Sequence, residues 1–240
     1  MLDAYMIRAR IAPALLAGLP AVALAGASAF TSASGIRITG LVLGAAGIAL
    51  AGLIRDAGRR LQETLWRGWG GGNPTARRLR WRDAAAPDTV ARLHRRLNRL
   101  LDEPLPDAAA EAEDPARADS AYEDAVATLR NLTRDRDRFN LIFEENVEYG
   151  FRRNSLGTRP AAIAVSLGTI VVSAALFAVD GAAYTSRAAR WGGVAVVSVA
   201  ALIFWSRFVT PDWVRRASDV YADRLLEAAD TLARPPESQT

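Results

Sequence analysis

The chain has 240 residues, half of them hydrophobic and 23% charged, with a formal net charge of +4 and no cysteine. The missing cysteine excludes disulfides, zinc–thiolate sites and thiol catalysis, and a single histidine, His94, excludes a multi-histidine metal centre. All 30 basic residues are arginine, so no lysine is present for a Schiff base or a phosphate-binding loop.

The average composition hides a segregation of charge. No charged residue occurs in Ile11–Ile36, Ile38–Ile54, Pro160–Val179 or Trp191–Ser206. A bilayer core about 30 Å thick takes roughly 17–25 apolar residues per helical crossing. The first and third windows fit that length; the second and fourth are at its short end and need flanking residues or tilt. The first window partly matches a signal peptide, with small residues at its end. Its charge-free run exceeds a signal core of roughly 7–15 residues, and a second apolar run follows at once, so it reads as a retained span.

Four spans put the N-terminus, residues 55–159 and the C-terminal tail on one side. That side carries 27 arginines against 3 on the other. Arginine near span ends stays in the cytoplasm, so both termini and the central segment are expected there. Trp191 and Trp205 bracket the fourth window as interfacial anchors.

The second window carries Gly40, Gly44, Gly47 and Ala51, small residues that permit close helix packing within or between subunits. In the central segment, GWGGGNPT (Gly68–Thr75) is expected to break any helix continuing from the second span. A short basic helix is predicted near Asp88–Glu103, with an apolar stripe of Val90, Leu93, Leu97, Leu100 and Leu101 beside Arg92, Arg95, Arg96 and Arg99. The acidic run Asp107–Asp114 reads as a linker.

A long amphipathic helix is predicted from Asp114-Pro115 through Gly150, capped by Asp114. Gly157 and Pro160 then allow a bend into the third window, with Arg152, Arg153 and Arg159 at the headgroups. On this reading a cytoplasmic helix passes movement to the third span; the alternative is a juxtamembrane helix that transmits nothing. The tail from Thr210 is predicted to be one more amphipathic helix.

Charge in the central segment is polarised. Residues 55–99 carry a net +8 and residues 102–124 a net −8, which points to mutual neutralisation within the fold or across a subunit interface.

Little of the chain has the pattern of a catalytic site. GWGGGNPT lacks the Gly-Lys-Ser/Thr ending of a phosphate loop. Arg77, Arg78 and Arg80 with Trp81 form the candidate ligand site: guanidinium groups bind phosphate bidentately and indoles stack on bases. Anionic lipid headgroups or internal salt bridges are the competing readings. Glu144, Glu145 and Glu148 fit salt bridging along a helix better than a metal or acid–base pair. His94 is expected to be exposed or lightly packed, with no partner.

No apolar window holds a charge, which argues against proton coupling or voltage sensing. Ser166, Thr169 and Ser173 recur at helical spacing. They either line a hydrated, pore-like face or bond back to a helix. No metal and no cofactor are expected.

The layout as a whole resembles that of bacterial four-span membrane effectors of phage-defence systems, of CBASS-like or Hailong-like type: two spans, a charged helical insert, two spans and a helical tail. That resemblance rests on layout alone and implies a sensing domain coupled to membrane spans.

The reading is an all-α membrane protein of the bacterial inner membrane. It comprises spans 1 and 2 (1–54), a cytoplasmic helical domain inserted between spans 2 and 3 (55–159), spans 3 and 4 (160–206), and a C-terminal helix and tail (207–240). A homo-oligomer is expected in the bilayer. Two functions are open: a non-enzymatic effector or ion channel that senses a nucleotide, oligonucleotide or protein partner in antiviral defence, and a membrane-anchored scaffold that conducts nothing.

Overall fold

The computed structural model describes residues 4–29, 55–181 and 185–233. The second charge-free window, with Gly40, Gly44, Gly47 and Ala51, lies outside them. No strand occurs among the described residues. Among the described residues, three helices are long and apolar enough to cross a membrane: Ile7–Ser28, Asn140–Val179 and Ala189–Phe208. Only 22% of each apolar window is buried, and Val171, Val179 and Val196 are 69–75% exposed. Such surfaces belong against lipid, because in water they would form a large unshielded apolar patch.

The chain divides into two compact units. The first comprises residues 1–62 and 147–214. Its opening helix, α1 (Ala12–Ala29), follows a π-helical turn at Ile7–Ile11. A second helical stretch, α2, covers 55–68. Helix α7 (Asn140–Gly181) has 42 residues, a rise of about 63 Å at 1.5 Å per residue. That is about twice a bilayer core. One helix therefore carries both the polar stretch before Arg159 and the apolar stretch after it. Helix α8 (Thr185–Ile203) packs against α1 and ends in a second π-helical turn, Phe204–Phe208.

The expected bend at Gly157 and Pro160 does not interrupt α7. Gly157 serves another end: a Cβ there would stand 2.9 Å from the Gly58 backbone nitrogen, so its lack of a side chain lets α2 approach α7. Trp191 and Trp205 also differ from expectation. They are 8% and 1% exposed, and fill space inside the protein rather than facing an interface. Arg152, Arg153 and Arg159 are half-buried and bonded to other helices of this unit.

The second unit comprises residues 63–146 and 215–240. The glycine-rich stretch breaks the chain as its composition predicts. Gly70, Gly71 and Gly72 have φ of +108°, +80° and +74°, a region that penalises any Cβ. Asn73 then caps the short α3 (Pro74–Arg77) by accepting from the Thr75 N–H at 2.9 Å. The predicted basic helix is α4 (Pro87–Leu97), whose Val90, His94 and Leu97 are buried.

The acidic linker is not a linker throughout. Residues Ala108–Glu113 form helix α5, capped by Asp107, and bury Glu111. Helix α6 (Pro115–Leu132) starts where expected, with the Asp114 side chain accepting from the Arg117 N–H. It stops at Leu132, so the predicted single helix to Gly150 is two. The reason is local: residues 134–138, Arg-Asp-Arg-Asp-Arg, offer no apolar side chain, and Asp135 instead accepts the N–H groups of Asp137 and Arg138, a turn that competes with helix.

The core of this unit is built by Leu79, Leu97, Tyr122, Val126, Leu129 and Leu225, the last from α9 (Pro211–Leu232). Each fully buried large side chain contributes about 1.5–3 kcal/mol of transfer free energy.

Candidate functional site

Arg77, Arg78 and Arg80 come from the end of α3 and the turn after it, and share one cleft of about 340 Å³. Its wall continues through Ala84, Val90, Leu93 and Arg96 of the α4 region to Asp223 and Leu226 of α9. The arginines are not equally available. Arg80 is 7% exposed; its Nε and Nη2 donate to the two Asp119 oxygens at 2.8 and 3.0 Å. Arg78 pairs with Asp219 and Asp223 on α9. The Arg77 Nε lies 3.7 Å from Asp83, beyond hydrogen-bond range, and has no hydrogen-bond partner. Arg77 is thus the least committed of the three.

Trp81 does not line this cleft. Its indole N–H donates to the Pro106 carbonyl at 3.1 Å, and its ring meets His94 edge-on at 5.0 Å between centroids. The side chain is anchored within the unit.

Behind Trp81 lies a cluster that residue patterns did not reveal. Glu111, 2% exposed, accepts the Trp81 N–H at 2.8 Å, the Arg82 N–H at 3.1 Å, the Arg82 guanidinium at 3.0 Å and the Tyr122 hydroxyl at 2.7 Å. Burial alone would raise its pKa, but these donors outweigh it and hold the carboxyl below its ordinary range. Burial and the Glu111 charge push the Tyr122 hydroxyl up.

His94 departs from its expected exposure. It is 5% exposed and its Nε2–H donates to the Leu79 carbonyl at 2.7 Å. Burial pushes its pKa down, favouring the neutral ring. One signal for the buried position existed in the sequence: His94 follows Val90 by four residues and precedes Leu97 by three, on the apolar face. Glu111 had none, because a lone acid in AAAEAE looks like its solvated neighbours.

In the first unit, Ser166, Thr169 and Ser173 are 0–5% exposed. Each hydroxyl donates to a carbonyl of its own helix: Ala162, Val165 and Ile170 respectively. Below them a polar belt joins several helices. Asn154 donates to the Ala9 carbonyl at 2.7 Å, Arg152 to the Trp213 carbonyl and Glu148, Arg153 to Gln62, and Arg159 to the Ser206 carbonyl. Of the three glutamates expected to bridge along the helix, Glu148 pairs with Arg152 at 2.7 Å.

No group of His, Asp or Glu side chains suited to a metal lies among the described residues. No protein-family model, curated protein or solved structure matches the chain. What defines it is its own architecture: an all-helical protein with helices fit to cross a membrane and an arginine-walled cleft.

Proposed function

We propose that this chain is a non-enzymatic membrane receptor whose helical unit binds an anionic ligand, with both termini and that unit in the bacterial cytoplasm. The observation that carries the reading is the cleft in which Arg77, Arg78, Arg80 and Arg96 meet the apolar Ala84, Val90, Leu93 and Leu226. Arginines suit a phosphate, and the apolar wall suits a base or another flat group. Asp83 and Asp223 sit beside these arginines, so an incoming anion exchanges existing ion pairs for new ones. Such an exchange is a means of signalling: displacing Asp223 from Arg78 releases α9 from the turn after α3.

The test is binding of a fluorescent nucleotide and of a short oligoribonucleotide to the detergent-solubilised full chain. Both Arg77→Gln and Arg78→Gln are expected to weaken binding about tenfold, the worth of one charged hydrogen bond. If neither probe binds the unsubstituted protein, the cleft is structural.

A second reading, an effector that changes membrane permeability in antiviral defence, draws support from the continuous α7. That helix joins the polar belt at Asn154 and Arg159 to the apolar run bearing Ser166 and Ser173. A potential-sensitive dye in expressing cells tests it. Unchanged potential with and without the genomic neighbours leaves the receptor as an anchored scaffold.

A further inference from the structure

Helix α4 and the turn after it carry a second arginine face, which meets the cleft only at Arg96. Arg92, Arg95 and Arg96 share one side of α4, and Arg99 lies in the turn that follows the helix. The four border a shallow concavity of about 400 Å³ that no other described residue lines. Arg92, Arg95 and Arg99 are exposed, while the opposite side of α4 buries Val90, His94 and Leu97.

The charge here is far less compensated than in the Arg77–Arg78–Arg80 cleft. Arg96 pairs with Asp230 at 2.8 Å, and Arg92 donates only to the neutral Thr89 hydroxyl at 2.8 Å. Arg95 and Arg99 form no ion pair or hydrogen bond among the described residues. Asp88, Asp102 and Glu103 flank the stretch in sequence and are exposed, yet none pairs with these arginines. Four guanidinium groups around one hollow, with one acid among them, repel each other unless an anion joins them.

We infer that this face is a binding site for a ligand carrying two or more phosphate groups, gripped by Arg92, Arg95 and Arg99 with Arg96 at its border. The planar forks of arginine suit phosphate oxygens bidentately. A single phosphate would engage one or two of the four; a polyphosphate or clustered headgroup engages all. The site deepens the receptor reading by naming phosphate as the chemistry. It stands on different residues, since only Arg96 borders both hollows.

The test uses the full chain in zwitterionic nanodiscs and inorganic tripolyphosphate as the probe. The triple variant Arg92→Gln, Arg95→Gln, Arg99→Gln is expected to bind at least about tenfold more weakly. A charge-matched control, Arg117→Gln, Arg130→Gln, Arg134→Gln, removes three exposed arginines elsewhere in the same unit and is expected to retain binding. Unchanged helical circular dichroism in both keeps folding out of the comparison. Equal weakening in the two triples, or no binding by the unsubstituted chain, overturns the site.

Repeating the titration in nanodiscs rich in anionic lipid separates the sources of phosphate. Competition that weakens tripolyphosphate binding there, and is lost in the Arg92/Arg95/Arg99 variant, assigns the site to lipid headgroups. Unaltered affinity assigns it to a soluble ligand. Because the variants leave Arg77 and Arg78 intact, failure here leaves nucleotide binding in the cleft standing, and the converse holds.

Discussion

The Tyr122 hydroxyl donates a 2.7 Å hydrogen bond to the buried Glu111 carboxylate, joining α6 to the short α5 at a point where Trp81 and Arg82 also bind. This one acid ties the turn after α3, the acidic segment and the core helix together. The opposite charges that sequence places in separate stretches meet at Glu111 and Asp119, as internal neutralisation requires.

Removing that acid exposes how much rests on it. Glu111→Ala leaves two backbone N–H groups and a hydroxyl without their acceptor and takes one of two acid partners from the Arg82 guanidinium. A loss of about 3 kcal/mol is expected, against about 1 kcal/mol for Tyr122→Phe. Thermal unfolding of the solubilised protein, followed by far-ultraviolet circular dichroism, gives the ranking. Equal, small losses would mean that solvent replaces the network.

Acid should weaken the protein in two stages. His94 has its pKa lowered by burial from an ordinary 6.5, so below that pH the unfolded chain takes up a proton that the folded one refuses, and stability falls. Glu111 has its pKa held below an ordinary 4.5. Its contribution is present above that pH and is lost as pH falls through the folded value. His94→Phe should flatten the first stage, measured as midpoint temperature between pH 7 and 5, and leave the second.

Arg80 and Arg78 should behave differently although both wall the cleft. Arg80→Ala strips a buried two-point pair from Asp119 and should cost about 2–3 kcal/mol, whereas the half-exposed Arg78 should cost under about 1 kcal/mol. Chemical denaturation of each variant checks this. A binding defect in Arg80→Ala therefore needs the stability measurement beside it before it counts as a ligand contact.

The close approach of α2 and α7 predicts a sharp contrast among glycines. Gly157→Leu forces a side chain into the Gly58 backbone and should lower yield and midpoint temperature markedly. Gly168→Ala meets nothing within 4 Å and should be neutral or slightly stabilising through helix propensity. Detergent-exchange stability assays on the two would distinguish them. Comparable tolerance at both positions would show that the helices do not meet at Gly157.

Ser166→Ala, Thr169→Val and Ser173→Ala each remove a bond to the helix's own backbone. A change within about 0.6 kcal/mol apiece is expected, read by the same denaturation. If expression of the unsubstituted chain depolarises cells and the triple variant abolishes this at unchanged stability, these hydroxyls contact a conducted species.

Segregated charge, the punctuation of Gly70–Asn73, the Asp114 cap and the apolar period of α4 were all legible in the sequence, because each depends on neighbours a few residues away. The first, third and fourth uncharged windows by themselves determined helices suited to lipid, since a bilayer accepts little else. Tertiary structure alone decided where polar side chains end: which of the arginines are spent on Asp119 and Asp219, that Glu111 and His94 go inside, and that Trp205 turns inward. Those polar outcomes depend on partners 11 to 141 positions away in the chain, and an arginine or glutamate has the same local pattern whether it ends in solvent or against a buried opposite charge.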